Sequence, residues 1–182
     1  MSIEETTERA VRAATRMYLA DRPQVALDYL TDALSADPAC YEALVMVGDI
    51  YARWAAELGL EDRRGNRLAL GYFDRAIAVR PDHAEAYAEK CLALLHLDDF
   101  EATLQTAERG LPLFDQHPTL DEPHDVWVNI GESLYRARAL ALLESGLPAA
   151  GRQVLDEGLA RFTGSHYLND IVVCFLPELG AA

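Results

Sequence analysis

One spacing returns four times in this chain. A small residue is followed four positions later by an apolar one, and three positions after that by another small one. It reads Ala26-Leu30-Ala33, Ala69-Phe73-Ala76, Thr103-Ala107-Gly110 and Gly151-Leu155-Gly158. Offsets of four and three bring all three side chains to one face of an α-helix. Small side chains there let a second helix approach closely, and the middle residue fills the remaining gap. A second stripe precedes each of these, with offsets of three, one and three and a small residue in third place. It reads Ala10-Ala13-Ala14-Met17, Leu44-Val47-Gly48-Tyr51, Tyr87-Lys90-Cys91-Leu94 and Trp127-Ile130-Gly131-Leu134. The third-place residues follow one another at 34, 43 and 40 positions. Two helices per period, four times over, predict an array of helix–turn–helix units.

Composition agrees. The 182 residues contain 29 Ala and 27 Leu against 10 Val, 5 Ile and 8 Thr, which favours helix over strand. A hydrophobic share of 51% beside 25% charged residues is that of a globular chain rather than a disordered one. The longest uncharged apolar run, residues 171–177, is seven long, far short of a membrane span. The N-terminus, Met1-Ser2-Ile3-Glu4-Glu5, is acidic and lacks an apolar core, unlike a signal peptide. The net charge of −14, with Lys90 as the one lysine, counts against nucleic acid and anionic membrane surfaces as partners. Cys40, Cys91 and Cys174 form no CxxC, and the first two fall inside helical apolar patterns. Reduced, structural cysteines and a cytoplasmic setting are expected.

Helix starts are expected at Ser2-x-x-Glu5, Asp21-x-x-Gln24, Asp82-x-x-Glu85 and Asp98-x-x-Glu101, each a capping box or its Asp variant. Gly164 reads as a helix C-cap and Ser165 as the next N-cap. Residues 112–123, with three prolines, read as the longest unstructured stretch. About nine extra residues around 58–67 and about eight along 135–145 lengthen the second and fourth repeats, by roughly two helical turns each.

These residues resemble the tetratricopeptide repeat, whose pattern runs W-x2-L-G-x2-Y, then A-x3-F, A and P. Trp127, Ile130 and Gly131 match its start in one repeat; Leu44, Val47, Gly48 and Tyr51 match it in another. Ala69, Phe73, Ala76 and Pro81 complete that second repeat, and Ala26, Leu30, Ala33 and Pro38 close the first. Lys90 departs from the pattern, as does Asp115 where proline is usual. The resemblance implies an all-α, right-handed α-α superhelix of about four helix pairs in a single domain, 1–182. The repeats fall at about 7–38, 41–81, 84–117 and 124–162, with a capping helix over 165–179.

The resemblance also implies a concave groove lined by the first helix of each repeat. By matched position its lining would be Val11, Thr15, Tyr18 and Leu19; Val45, Asp49, Ala52 and Arg53; Ala88, Leu92, Leu95 and His96; and Val128, Glu132, Tyr135 and Arg136. Such a wall, apolar in the middle with a few fixed charges, suits a helix or extended peptide of a protein partner. It lacks the lysine and asparagine set by which the family's chaperone-binding clamp holds a terminal carboxylate. Arg63, Arg64 and Arg67 cluster at the second repeat's insertion, with Arg53 and Trp54 near them. They read as an edge patch for an acidic segment or as a solvated turn balancing Glu57, Glu61 and Asp62.

Chemistry is sparsely marked. Residues 117–125 hold His117, His124, Asp121, Glu122 and Asp125, an array conceivable for a metal but broken by two prolines. No nucleophile elbow, phosphate-binding loop or dinucleotide fingerprint occurs, so neither catalysis nor a cofactor is expected. The last helical pattern, Tyr167, Leu168, Ile171, Val172, Phe175 and Leu179, would cover the open end of the array. Residues 172–176 are apolar all round, which also raises a homodimer through this helix. The reading is a non-catalytic adaptor that binds a protein or peptide, with a homo-oligomerising scaffold as its alternative.

Overall fold

A computed structural model describes residues 2–57, 63–116 and 129–175. Among them all regular structure is helical. The helices are α1 (Ile3–Leu19), α2 (Pro23–Ala36), α3 (Tyr41–Glu57), α4 (Arg63–Val79), α5 (Ala84–Leu95), α6 (Phe100–Gln116), α7 (Ile130–Glu144), α8 (Pro148–Arg161) and α9 (His166–Phe175). They gather into two compact units, Met1–Asp82 and His83–Ala182.

In the first unit α1 pairs with α2, α3 pairs with α4, and α2 packs on α3. The core holds Ala14, Ala26, Leu30, Ala33, Val47 and Ile50, with Met17, Tyr51, Trp54 and Tyr72 packed around it. Gly48 and Gly65 set the spacing of α3 and α4. A Cβ on Gly48 would enter the Phe73 ring, and one on Gly65 would lie 2.7 Å from the Tyr51 carbonyl oxygen. In the second unit α5 pairs with α6 and α7 with α8; α7 also packs on α5, α6 and α9. Gly131 lies against the rings of Phe114 and Phe162, and Gly158 against Leu168 and Tyr135. All twelve residues of the first spacing are buried, as are all four third-place residues of the second.

The N-termini follow the sequence at two places and depart at three. Ser2 and Glu5 close a reciprocal capping box at 3.1 and 2.8 Å, and Ser165 Oγ accepts from the Leu168 N–H at 3.1 Å. Asp21 and Asp98 instead adopt left-handed backbone, with φ of 55° and 58°, each one residue too early to cap. Arg22 precedes α2, with Pro23 opening the helix, and Asp99 accepts from the Ala102 N–H at 3.1 Å at the start of α6. His83, not Asp82, is the N-cap of α5. Pro112 does not open an unstructured stretch: α6 runs through it to Gln116. A proline inside a helix loses one backbone hydrogen bond. Leu111 and Phe114, buried on either side of it, hold the helix in place. The rest of that stretch lies outside the described residues.

The fourth repeat's extra residues lengthen a helix: α7 continues from Gly131 to Glu144, where α5 stops at Leu95 soon after Cys91. Of the second repeat's extra residues, 63–67 open α4 and 58–62 lie outside the described residues.

Candidate functional site

The first helices of the pairs, α1, α3, α5 and α7, carry the described residues the groove reading selects, except His96, which is the C-cap of α5. Their placement divides the set. Val45, Ala88 and Tyr135 are buried at 7%, 1% and 9% exposure and face their own units' interiors rather than a partner. Tyr135 meets the Phe162 ring edge-on, with centroids 6.1 Å apart. The offsets that point these positions outward assume a regular repeat, and close packing of α8 on α7 at Gly158 draws Tyr135 inward. Val11, Thr15, Ala52, Leu92 and Leu95 are part-buried, while Leu19 is exposed and His96 half-buried. Val128 lies outside the described residues.

The charged members are brought together in two clusters, each within one unit. In the first, the Tyr18 hydroxyl of α1 donates to Asp49 Oδ2 of α3, and the Arg53 guanidinium lies 4.9 Å from the Tyr18 ring centroid. Arg53 also comes to 3.9 Å of both Asp21 and Glu57. Burial raises the Asp49 pKa above the ordinary carboxylate value; the Tyr18 donor and Arg53 act against it. Tyr18 is likewise raised, by burial first and then by the Asp49 charge. In the second cluster the Ser165 hydroxyl donates to Glu132 while capping α9. Arg136 lies 5.6 Å from the Tyr167 ring centroid. Burial, and after it Arg136, lowers the His96 pKa.

Sequence reasoning selected Asp49 and Glu132 for a ligand; both accept hydroxyls from their own chain. It missed Ser165 and Tyr167 as members of the second cluster, because their partners stand 33 and 31 positions away and no local spacing announces them. It also missed an open cleft of ≈ 220 Å³ between α7 and α9, walled by Leu140, Tyr167, Ile171 and Phe175, with Arg136 and Asp170 as its charged members. Arg63, Arg64 and Arg67 are exposed on the first turns of α4. Trp54, part-buried, packs on the first unit's core, edge-on to Tyr51 at 5.8 Å.

The buried Cys91 thiol is pushed up to about 12 by desolvation, which disfavours the thiolate a nucleophile needs. Among the described residues no group of three His, Cys, Asp or Glu side chains is placed to hold a metal. The segment 117–125 lies outside them. No described helix is long and apolar enough to cross a membrane.

The Tetratricopeptide repeat family model matches residues 58–118. The crystal structure of MamA protein aligns over 93% of this chain and 95% of its own, at 17% identity and a TM-score of 0.43. No curated protein matches the sequence.

Proposed function

We propose, from the premise that this is a tetratricopeptide-repeat chain and hence a protein-interaction scaffold, that it is a non-catalytic adaptor whose first helices hold a peptide or helix of a protein partner. The two units would then be parts of one domain. Val11, Tyr18, Asp49 and Arg53 would line the groove in the first unit, and Leu92, His96, Glu132 and Arg136 in the second. Asp49 and Glu132 would act through the side chains they hold rather than by direct contact.

One observation carries this reading. Hairpin packing buries every residue of the first small-residue spacing, yet Leu92 and Leu95 on α5 and Val11 on α1 keep part of their apolar surface in solvent. Apolar side chains left uncovered beside fixed charges suit an amphipathic segment. A cytoplasmic setting fits thiols that are all free at Cys40, Cys91 and Cys174.

The test is affinity capture from the native host with wild type, Leu92→Glu and Val11→Glu, with thermal melts as the folding control. Loss of the same captured protein at an unchanged melting temperature supports the groove. Equal capture by all three overturns it.

A homo-oligomerising scaffold is favoured by one feature, the outer face of α9, where Val173 is 62% and Phe175 41% exposed. Light scattering on wild type and the double variant Val173→Glu, Phe175→Glu tests it. A dimer that becomes monomeric supports it, and a monomeric wild type removes it.

A further inference from the structure

Asp49-x3-Arg53 on α3 and Glu132-x3-Arg136 on α7 stand at the same two places of their repeats, one and five positions past Gly48 and Gly131. In both pairs the acid accepts a hydroxyl from another helix or its cap. In both, the arginine lies over a tyrosine ring. A ring beneath a guanidinium fixes its plane and leaves its forked edge free for a carboxylate.

In α3 that carboxylate comes from the chain itself. Glu57, four residues after Arg53, and Asp21 both approach the guanidinium. Four residues after Arg136 stands Leu140 instead. No ion pair engages Arg136 among the described residues. The replaced acid leaves a part-buried cation beside an apolar wall, in the α7–α9 cleft of ≈ 220 Å³. That volume is below the roughly 300–1,000 Å³ of small-molecule sites and suits a single large side chain of a docking segment. Asp170, also at the cleft, is exposed and keeps its hydration, so among the described residues Arg136 is the cleft charge without an ion pair.

We infer that the α7–α9 cleft docks an amphipathic helix of a partner protein, seating one large apolar side chain on Leu140, Ile171 and Phe175 and pairing an acidic residue one turn away with Arg136. This rests on the reading that the chain binds proteins, but not on the α5 face.

The test uses the full chain and three fluorescein-labelled helical peptides of about 14 residues, roughly four turns. All carry leucines on one face; the flanking positions are glutamate, glutamine or lysine. Fluorescence anisotropy should show the glutamate peptide binding about tenfold more tightly than the other two, as one charge-assisted pair would give. Arg136→Gln should erase that preference. Leu140→Glu, which rebuilds the arrangement around Arg53 and Glu57, should erase it too, while Arg53→Gln should leave it intact. Melting temperatures check the fold of each variant.

Equal binding of the three peptides, or no binding to wild type, overturns the proposal. So does binding that appears only with Glu178→Gln, which would give the cleft to the chain's own last residues. A wild-type dimer made monomeric by Leu140→Glu would give it to a second copy. Loss of binding with Leu92→Glu but not with Leu140→Glu would overturn the cleft while sparing the groove reading.

Discussion

The Tyr18 hydroxyl donates to the Asp49 carboxylate and thereby ties α1 to α3, two helices that belong to different hairpins. The acceptor is largely withdrawn from water, and its charge is offset by Arg53 stacked on the same tyrosine. Tyr18→Phe leaves Asp49 without its donor and is expected to cost about 1–3 kcal/mol, the penalty of a buried charged acceptor losing a hydrogen bond. Urea unfolding measures it. Asp49→Ala alone should cost a similar amount, and the double variant clearly less than the sum of the two. Additive costs would mean that the pair is not coupled.

Gly65 and Gly71 both lie on α4 and should respond in opposite ways to alanine. A Cβ on Gly65 meets the Tyr51 carbonyl oxygen at 2.7 Å and Ala55 Cβ at 2.8 Å, contacts with backbone and a rigid methyl. Gly65→Ala should destabilise by about 1–3 kcal/mol through overpacking. Nothing lies within 4 Å of a Cβ on Gly71. Gly71→Ala should therefore stabilise by up to about 1 kcal/mol through helix propensity. Thermal melts of the two single variants decide both.

Ser165 joins the cap of α9 to Glu132 of α7. Ser165→Ala should cost about 1 kcal/mol, the usual worth of an N-cap, and should speed amide exchange in α9 before the rest of its unit. Leu168, fully buried against Gly158, anchors the same helix. Leu168→Ala should cost about 2–5 kcal/mol. Protection of α9 unchanged in both variants would show that the helix is not held from this end.

His96 makes stability depend on pH. Burial, then Arg136, lowers its folded pKa below the ordinary 6.5. The unfolded chain therefore takes up a proton at higher pH than the folded one. Its stabilising contribution is full above about pH 6.5, declines as pH falls through the folded value, and then levels off. His96→Gln should flatten the decline in urea midpoints between about pH 7.5 and 5. Arg136→Gln should shrink it. An identical decline in His96→Gln would assign it to other groups.

The helices and their inner faces were legible in the sequence because both depend on local quantities. Side-chain size and a 3.6-residue period decide which stripe a neighbouring helix can touch, so Ala26-Leu30-Ala33 and its three counterparts could be named in advance and are buried. The same logic extended badly to helix ends. Whether Asp98 or Asp99 caps α6 turns on one left-handed residue, and spacing cannot resolve a single position there.

Partnerships over long separations were decided by tertiary structure alone. Asp49 finds Tyr18 across 31 positions, Glu132 finds Ser165 across 33, and Asp115 finds Arg161 across 46. A charged or hydroxyl side chain on a helix surface has no preferred partner until a particular hairpin is laid beside it. Periodicity thus settled which faces close together; the packing of those faces settled that two acids were already engaged, and that Arg136 was left beside an apolar-walled cleft.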